Sequence, residues 1–267
     1  MKISTLIENL VNKKGLSAEN GLALYIETGN KKILFDTGQT GLFMKNAKVL
    51  GISIEDIDIL VLSHGHYDHT GGLYPFLAKN NKAQVYAKRQ IFTPKYSGNK
   101  RFTGTIFHNE LLGDRLHYVD SIIEIAENVF IMPEIGVYDK NDFYFKNMNI
   151  KVNNEFVPDR FDDELFLAIK EDGKINIVTA CSHKGITNIC TTTTNFFKLP
   201  VGLILGGFHL KDCTIQQYVQ IMYYFRILQP ESIGVCHCTG IEKYADMYHD
   251  CESHVFYNYV GKEVTIR

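Results

Sequence analysis

Ile57-Asp58-Ile59-Leu60-Val61-Leu62 reads as a buried strand, and the chain continues Ser63-His64-Gly65-His66-Tyr67-Asp68-His69-Thr70-Gly71-Gly72. The run from His64 to His69 packs three imidazoles and a carboxylate into six residues. Imidazoles this close repel one another when protonated and need partners when buried. Metal coordination meets both demands, because neutral imidazole nitrogens and carboxylate oxygens are ordinary ligands of zinc and related divalent ions. Side chains alternate along an extended backbone, which sends His64 and His66 to one side. A turn after them lets Asp68 and His69 face a second point nearby, so one short loop offers two ligands to each of two metals. The bland alternative is a solvated polar loop. Ordered spacing of four ligand-type residues directly after a hydrophobic strand weighs against it.

His64-x-His66-x-Asp68-His69 resembles the signature of the metallo-β-lactamase superfamily. The resemblance implies an α/β fold, a four-layer αβ/βα sandwich with metals at one edge between the two sheets. Asp36, in Ile33-Leu34-Phe35-Asp36-Thr37-Gly38, is similar to the superfamily's first motif, an aspartate at a strand end supporting the metal-binding loop. The match runs from the first strands to a late histidine. Fold and metal chemistry follow from it more firmly than substrate does, since the superfamily hydrolyses lactams, thioesters, lactones and phosphodiesters and includes redox enzymes.

Composition agrees with a compact soluble enzyme. A chain of 267 residues with 45% hydrophobic content can bury one large core, so a single domain over 1–267 is the simplest expectation. A net charge of -2 gives no basic footprint for general nucleic-acid binding. No apolar run reaches bilayer-spanning length, and Met1-Lys2-Ile3-Ser4-Thr5 lacks a signal-peptide hydrophobic segment, so no membrane association and a cytoplasmic location are expected. In that compartment Cys181, Cys190, Cys213, Cys236, Cys238 and Cys251 read as reduced thiols, and Cys236-His237-Cys238 is too tight for an ordinary bridge.

Strand and helix signals alternate along the chain. Leu22 to Glu27 and Lys31 to Phe35 read as a hairpin around Thr28-Gly29-Asn30. Gly41 to Val49 and Gly71 to Lys79 read as helices, Ala83 to Ala87 as a strand, and Ser53 with Asp56 as a helix-start cap. Leu165 to Lys170 and Lys174 to Ala180 form a second hairpin around Glu171-Asp172-Gly173. Val201 to Leu205 and Ser232 to Cys236 read as buried strands flanking an amphipathic helix, Ile215 to Leu228. The stretch at about 88–159 is less regular and rich in aromatics, among them Phe92, Tyr96, Phe102, Phe107, Tyr118, Phe130, Tyr138, Phe143, Tyr144 and Phe145. Packing is the commoner role for any one aromatic. The alternative is an insert that roofs the metal site and stacks on a flat substrate, with Tyr96 and Phe102 the first positions to test.

The remaining ligands have to come from the second half. His183 in Cys181-Ser182-His183-Lys184-Gly185, His209 in Gly206-Gly207-Phe208-His209-Leu210 and His237 in Cys236-His237-Cys238-Thr239-Gly240 all follow strand-like runs. A histidine there can be a satisfied core residue. Behind a complete front-end motif, His183 and His237 read as ligands, and His209 as a weaker candidate. These second-half motifs, with Asp162-Asp163-Glu164, resemble one branch of the superfamily, labelled dihydropterin ribofuranosyl-aminobenzene phosphate synthase. That label implies a transferase joining a pterin methyl diphosphate to an aminobenzene ribose phosphate. One departure stands out: most binuclear members bridge their metals with an aspartate where this chain has Ala180-Cys181-Ser182. Cys181 or His183 occupies that place, or Asp162 or Asp163 reaches the site instead, a solvated acidic turn being the commoner reading for those two. Thiolate at Cys181 would favour zinc over manganese.

The expectation is a metal-dependent hydrolase carrying one or two divalent ions, zinc first and manganese or iron as alternatives. Its metal ligands are His64, His66, Asp68, His69, His183 and His237. A metal-bound hydroxide attacks a phosphate ester or related small molecule, and Asp68 orients it or accepts a proton. His209, Lys184 or Lys211 steadies negative charge on the phosphate. The expected partner is a small-molecule phosphate with a flat ring; homo-oligomerisation is left open. A pterin-type transferase and a non-catalytic metal-binding or sensory protein are the alternatives.

Overall fold

A computed structural model of the chain describes residues 1–143 and 147–266. It falls into two compact units, Met1–Asp120 with Phe145–Leu165 and Tyr259–Thr265, and Ser121–Tyr144 with Phe166–Asn258 and Ile266–Arg267. The main strands of the first unit are β1 (Lys2–Ile7), β2 (Ala23–Glu27), β3 (Lys32–Phe35), β4 (Ile59–Val61), β5 (Gln84–Ala87), β8 (Leu116–Tyr118) and β18 (Glu263–Thr265). They lie in the order β18-β1-β2-β3-β4-β5-β8. The first four of these pair antiparallel, and β2 meets β3 through the expected turn, Thr28 N–H donating to Lys31 O at 3.0 Å. From β3 to β8 the pairing is parallel, so the ends of β3 and β4 emerge on the same edge.

Parallel neighbours need crossover connections. α1 (Leu42–Val49) supplies one; α2 (Tyr67–Thr70) and α3 (Leu73–Lys79) supply the next. Tyr25, Leu34, Leu60, Leu62 and Val85 alternate onto one sheet face and pack with Phe43 and Ala47 of α1 and Phe76 of α3. A smaller sheet in the same unit is formed by β6 (Lys95–Ser97), β7 (Arg101–Phe102), β11 (Met148–Val152) and β12 (Glu155–Pro158), in the order β12-β11-β6-β7. The short α4 (Asn109–Leu112) completes the unit.

The second unit has β9 (Ile123–Ala126), β10 (Val129–Met132), β13 (Phe166–Glu171), β14 (Lys174–Val178), β15 (Val201–Gly206), β16 (Ser232–Val235) and β17 (His254–Tyr257). Their order is β17-β16-β15-β14-β13-β10-β9, parallel from β14 to β17 and antiparallel from β9 to β14. α5 (Ile186–Phe197), α6 (Ile215–Leu228) and α7 (Ile241–Asp250) make the crossovers. Ile175, Ile177, Ile204, Ile233 and Val235 pack with Ile186 and Ile189 of α5, Ile221 and Phe225 of α6 and Met247 of α7.

Three expectations change. Ser53 starts no helix: residues 53–56 make a turn, Asp56 N–H reaching Ser53 O at 3.4 Å. The turn is held from outside, where the buried Asn80 amide donates to Ile54 O and Ile57 O, both at 2.8 Å. The helix expected from Gly71 begins at Leu73, and Thr70 closes the separate α2. The aromatic-rich stretch is divided, residues 88–120 and 147–159 belonging to the first unit and 121–143 to the second; Tyr144 and Phe145 lie outside the described residues.

α5 was invisible to propensity because Thr191-Thr192-Thr193-Thr194 disfavours helix. Two hydroxyls bond back along it, Thr193 Oγ1 to Ile189 O at 2.8 Å and Thr194 Oγ1 to Cys190 O at 3.0 Å. Its start is held by Asp142, whose Oδ2 accepts Thr187 N–H at 2.7 Å and Thr187 Oγ1–H at 2.8 Å. Burial pushes that carboxyl up to about 7, against the pull of its two bonds from Thr187. The folded chain therefore keeps a proton that the unfolded chain releases near its ordinary pKa of 3.8. This stabilisation is complete below about pH 4 and is lost as pH rises to about 7, with a slope of at most about 1.4 kcal/mol per pH unit. Urea unfolding of wild type and Asp142→Asn across that window checks it: the variant is expected to lack this slope.

Candidate metal centre

Parallel strands deliver the loops after their carboxyl ends to one edge of a sheet, where α/β folds place their sites. In the first unit that edge carries Asp36 after β3 and Ser63 to His69 after β4. Asp36 is fully buried and left-handed at φ 61°, an uncommon conformation for a residue with a side chain. Its carboxylate takes three bonds. Oδ1 accepts Ser63 N–H at 2.8 Å, and Oδ2 accepts the Ser63 hydroxyl at 2.6 Å and the His69 Nδ1–H at 2.8 Å. The hydroxyl proton of Ser63 is thereby committed to Asp36, so Ser63 Oγ accepts from His64 Nδ1–H at 2.8 Å. This relay fixes both tautomers and leaves Nε2 of His64 and of His69 with a lone pair to offer. A hydrogen bond at the far ring nitrogen is what orients a metal-ligating histidine.

His64 Nε2 and His66 Nδ1 approach to 3.0 Å. Two nitrogens each about 2.0–2.1 Å from one tetrahedral zinc lie about 3.3 Å apart, so the pair fits a shared ion. Burial, reinforced by the nearby Lys95 ammonium, pushes His66 down to about 3, which keeps its ring neutral as a ligand has to be. His69 shifts the other way: burial opposes its charge, but the carboxylates of Asp68 and Asp36 outweigh that and raise it. Asp68 Oδ2 stands 4.0 Å from His69 Nε2 and accepts from Asn20 Nδ2 at 3.1 Å. The chemistry of this donor set suits a divalent cation.

Gly65, between the first two histidines, has no room for a side chain: a Cβ there would lie 2.1 Å from Ile91 O. Its N–H donates to Asp163 Oδ2 at 2.6 Å, while Asp163 Oδ1 accepts from Lys95 Nζ at 2.9 Å. Lys95 is buried and also reaches Asp159 at 2.6 Å. Asp163, which the sequence suggested as a ligand, thus holds the backbone of the histidine loop, and the Lys95–Asp159 partnership is one that sequence reasoning missed. A lysine at the start of an aromatic-rich stretch gave no signal of it.

The second unit repeats the arrangement at the ends of β14, β15 and β16. The three loops are stitched together by Gly207 N–H to Ala180 O at 2.8 Å, Ser182 Oγ–H to Gly207 O at 2.8 Å and Phe208 N–H to Thr239 Oγ1 at 3.0 Å. The rings of His183 and His209 lie 4.7 Å apart between centroids, and Cys181, His183 and His237 are buried. Ser182, His209 and His237 are left-handed at φ 56°, 51° and 51°. Strained backbone of this kind costs about 1–3 kcal/mol per residue and concentrates at functional sites. Lys184 gives its carbonyl to Asn188 Nδ2 at 2.7 Å, and Lys211 sits against Gly240 in an exposed turn.

Substituting Asp36 by alanine removes the acceptor for Ser63 and His69 together. Zinc affinity, measured by competition with a chromophoric chelator, is expected to fall about 10–100-fold, the usual cost of losing an outer-shell partner. Unchanged affinity would contradict the relay.

Similarity to known proteins agrees with this reading. The family model for the metallo-beta-lactamase superfamily matches residues 16–139. The chain is 30% identical over 260 residues to 7,8-dihydropterin-6-methyl-4-(beta-D-ribofuranosyl)-aminobenzene-5'-phosphate synthase of Methanocaldococcus jannaschii, covering 91% of this chain and 88% of that protein. Among solved structures it resembles Tm1679, described as a metal-dependent hydrolase of the beta-lactamase superfamily, at TM-score 0.89 and 29% identity, with 100% of this chain and 99% of that one covered. YhfI from Bacillus subtilis shares the fold at TM-score 0.57 and 12% identity, over 99% of both chains. The α/β fold, the histidine loop with its Asp36 support and the full-length relative together identify the chain as a member of the metallo-β-lactamase superfamily.

Proposed function

We propose that this protein is a metal-dependent hydrolase of a small-molecule phosphate ester or related compound, with His64, His66, Asp68, His69, His183 and His237 as its metal ligands. The observation that carries the reading is the pair of imidazole nitrogens 3.0 Å apart, one presented by the Asp36–Ser63 relay and the other on a ring kept neutral by burial. When bound, a divalent metal supplies Lewis-acid polarisation of the electrophile and an acidified water. The protein's own part is to hold these imidazoles in register and to keep the Asp68 carboxyl group within reach of a proton. Asp68 would orient the attacking water or accept its proton. Zinc suits the nitrogen-rich donor set better than the harder alternatives.

The substrate class is supported by a cavity of about 560 Å³ beside α2, lined in part by Tyr67, Tyr74, Arg101, Phe102, Thr105 and His108. Aromatic faces and a guanidinium suit a flat ring bearing a phosphate. Arg101 Nη2–H donates to the Tyr67 hydroxyl at 2.6 Å, which aims the guanidinium along this wall. Phe102 is 42% exposed there, whereas Tyr96 is spent on packing edge-on against Phe102 and Phe156 at 5.5 and 5.0 Å. Phe102 is therefore the sharper test of the two.

Similarity to the named synthase supports a second reading, transfer of a pterin-type group to an amine acceptor in place of water. Product analysis with substrate, water and an arylamine present separates the two, since only a transferase incorporates the amine. A cytoplasmic setting, with neither nucleic acid nor membrane as partner, completes the proposal. It is supported by the net charge of -2 and by the finding that no helix among the described residues is long and apolar enough to cross a membrane.

His66→Ala is expected to abolish turnover of a phosphodiester, lactone and thioester panel while the circular dichroism spectrum stays that of the wild type; full activity in that variant would refute the assignment. Phe102→Ala is expected to raise KM about fivefold with kcat and bound metal unchanged, the effect of one lost aromatic contact of about 1 kcal/mol. An unaltered KM would make the cavity wall structural only.

A further inference from the structure

We infer that the outward face of α6 is the contact between two copies of this chain, packed antiparallel about a twofold axis level with residue 221. The inference is independent of the metal chemistry and stands on the helical layer of the second unit. α6 buries Tyr218, Ile221 and Phe225 in the core over its own sheet, which accounts for one side of an amphipathic helix. The opposite side should then be polar. It carries instead Ile215, Val219, Tyr223 and Ile227, exposed to 75, 56, 65 and 65%. Four apolar residues spaced by four form one ridge along the helix, about 18 Å long.

Single exposed apolar side chains are ordinary, but an aligned set of them marks a contact surface. These four together expose on the order of 500 Å². Tyr248 of α7, 59% exposed, extends the apolar surface of this layer. α7 lies alongside α6, where the Tyr218 hydroxyl donates to Asp250 at 2.9 Å and Lys243 Nζ sits 4.9 Å from the Tyr218 ring. With a rim of Gln216, Gln220 and Arg226, the face reaches the scale of about 800 Å² that each partner gives to a stable protein interface. The helix is also set before any partner arrives: at its start Thr214 Oγ1 accepts Gln217 N–H at 3.1 Å.

Charge and register favour a second copy as the occupant. Arg226 is the one charged residue among the fourteen of α6, and Glu252 already engages it, Nε to Oε1 at 3.4 Å. The face therefore offers little to a highly charged partner. It also lacks the basic flank with which interfacial helices hold a lipid surface. Laid antiparallel on its own copy about a point level with residue 221, the stripe matches itself. Ile215 meets Ile227, and Val219 meets Tyr223, small against large. Arg226 falls opposite Gln216, so no like charges are brought together, and the two helix dipoles run opposed. Ridges of this i±4 type interdigitate at a crossing angle of about −50°. A twofold operation makes each of these contacts twice.

Sedimentation equilibrium of the full-length protein, over roughly 1–100 μM, tests the inference. Wild type is expected to reach twice the chain mass within that range. Val219→Lys and Tyr223→Glu each put an unpaired charge at the centre of the contact on both copies, and each should raise the dissociation constant more than about 100-fold. Both positions are exposed, so circular dichroism should stay that of the wild type. An equimolar mixture of the two variants should recover a dimer, because the introduced ammonium of one chain then faces the introduced carboxylate of the other. Val49→Glu, at a comparably exposed position in the first unit, should leave the dimer unchanged. A wild type that stays monomeric throughout, a dimer that survives both substitutions, or two monomeric variants that fail to pair when mixed would overturn the inference. A monomeric wild type that cosediments with phosphatidylcholine vesicles, and ceases to in Tyr223→Glu, would overturn it in favour of a lipid surface.

Discussion

One buried carboxylate organises the first unit's half of the chemistry. Asp36 leaves β3 in a left-handed turn and spends both oxygens on the loop after β4, on Ser63 N–H, the Ser63 hydroxyl and His69 Nδ1–H. Without it the Ser63 hydroxyl has no fixed orientation, His64 no fixed tautomer and His69 no anchor. A buried polar network of this sort specifies one arrangement when every member is satisfied and becomes costly when any is not. The loop's other end is held by a buried ion triad, Lys95 with Asp159 and Asp163, the last of which takes Gly65 N–H. A buried lysine with two carboxylates is weak evidence of stability but a good device for fixing geometry.

Each unit applies the same rule by its own means. Parallel strands send their carboxyl ends to one edge, and left-handed residues with side chains mark where the chain turns to present its donors: Asp36 in one unit, Ser182, His209 and His237 in the other. The first unit presents hard and borderline donors, nitrogen and carboxylate. The second places the buried Cys181, His183 and His237 after its own parallel strands.

The histidine loop, the Asp36 support and both hairpins were legible in the sequence because each is a local pattern: fixed spacing after an apolar run, or alternation around turn residues. What escaped was long-range. Asp163 looked like a candidate ligand and is engaged by Gly65 and Lys95, from segments remote in the chain. Ser53 looked like a cap, but an asparagine more than twenty residues on holds it in a turn. The threonine run of α5 disfavours helix until buried Ile186 and Ile189 and the Asp142 carboxyl are counted, and no local window contains all three.

The central claim is that the loop after β4 is a metal-binding loop, its nitrogens aimed by the Asp36–Ser63 relay. Anomalous diffraction at the zinc absorption edge, on crystals of the zinc-loaded protein, tests that most directly. The account predicts a zinc peak within bonding distance of His64 Nε2 and His66 Nδ1, with His69 Nδ1 still on Asp36. Zinc density confined to other residues, with the His64 and His66 nitrogens bonded only to each other, would contradict it.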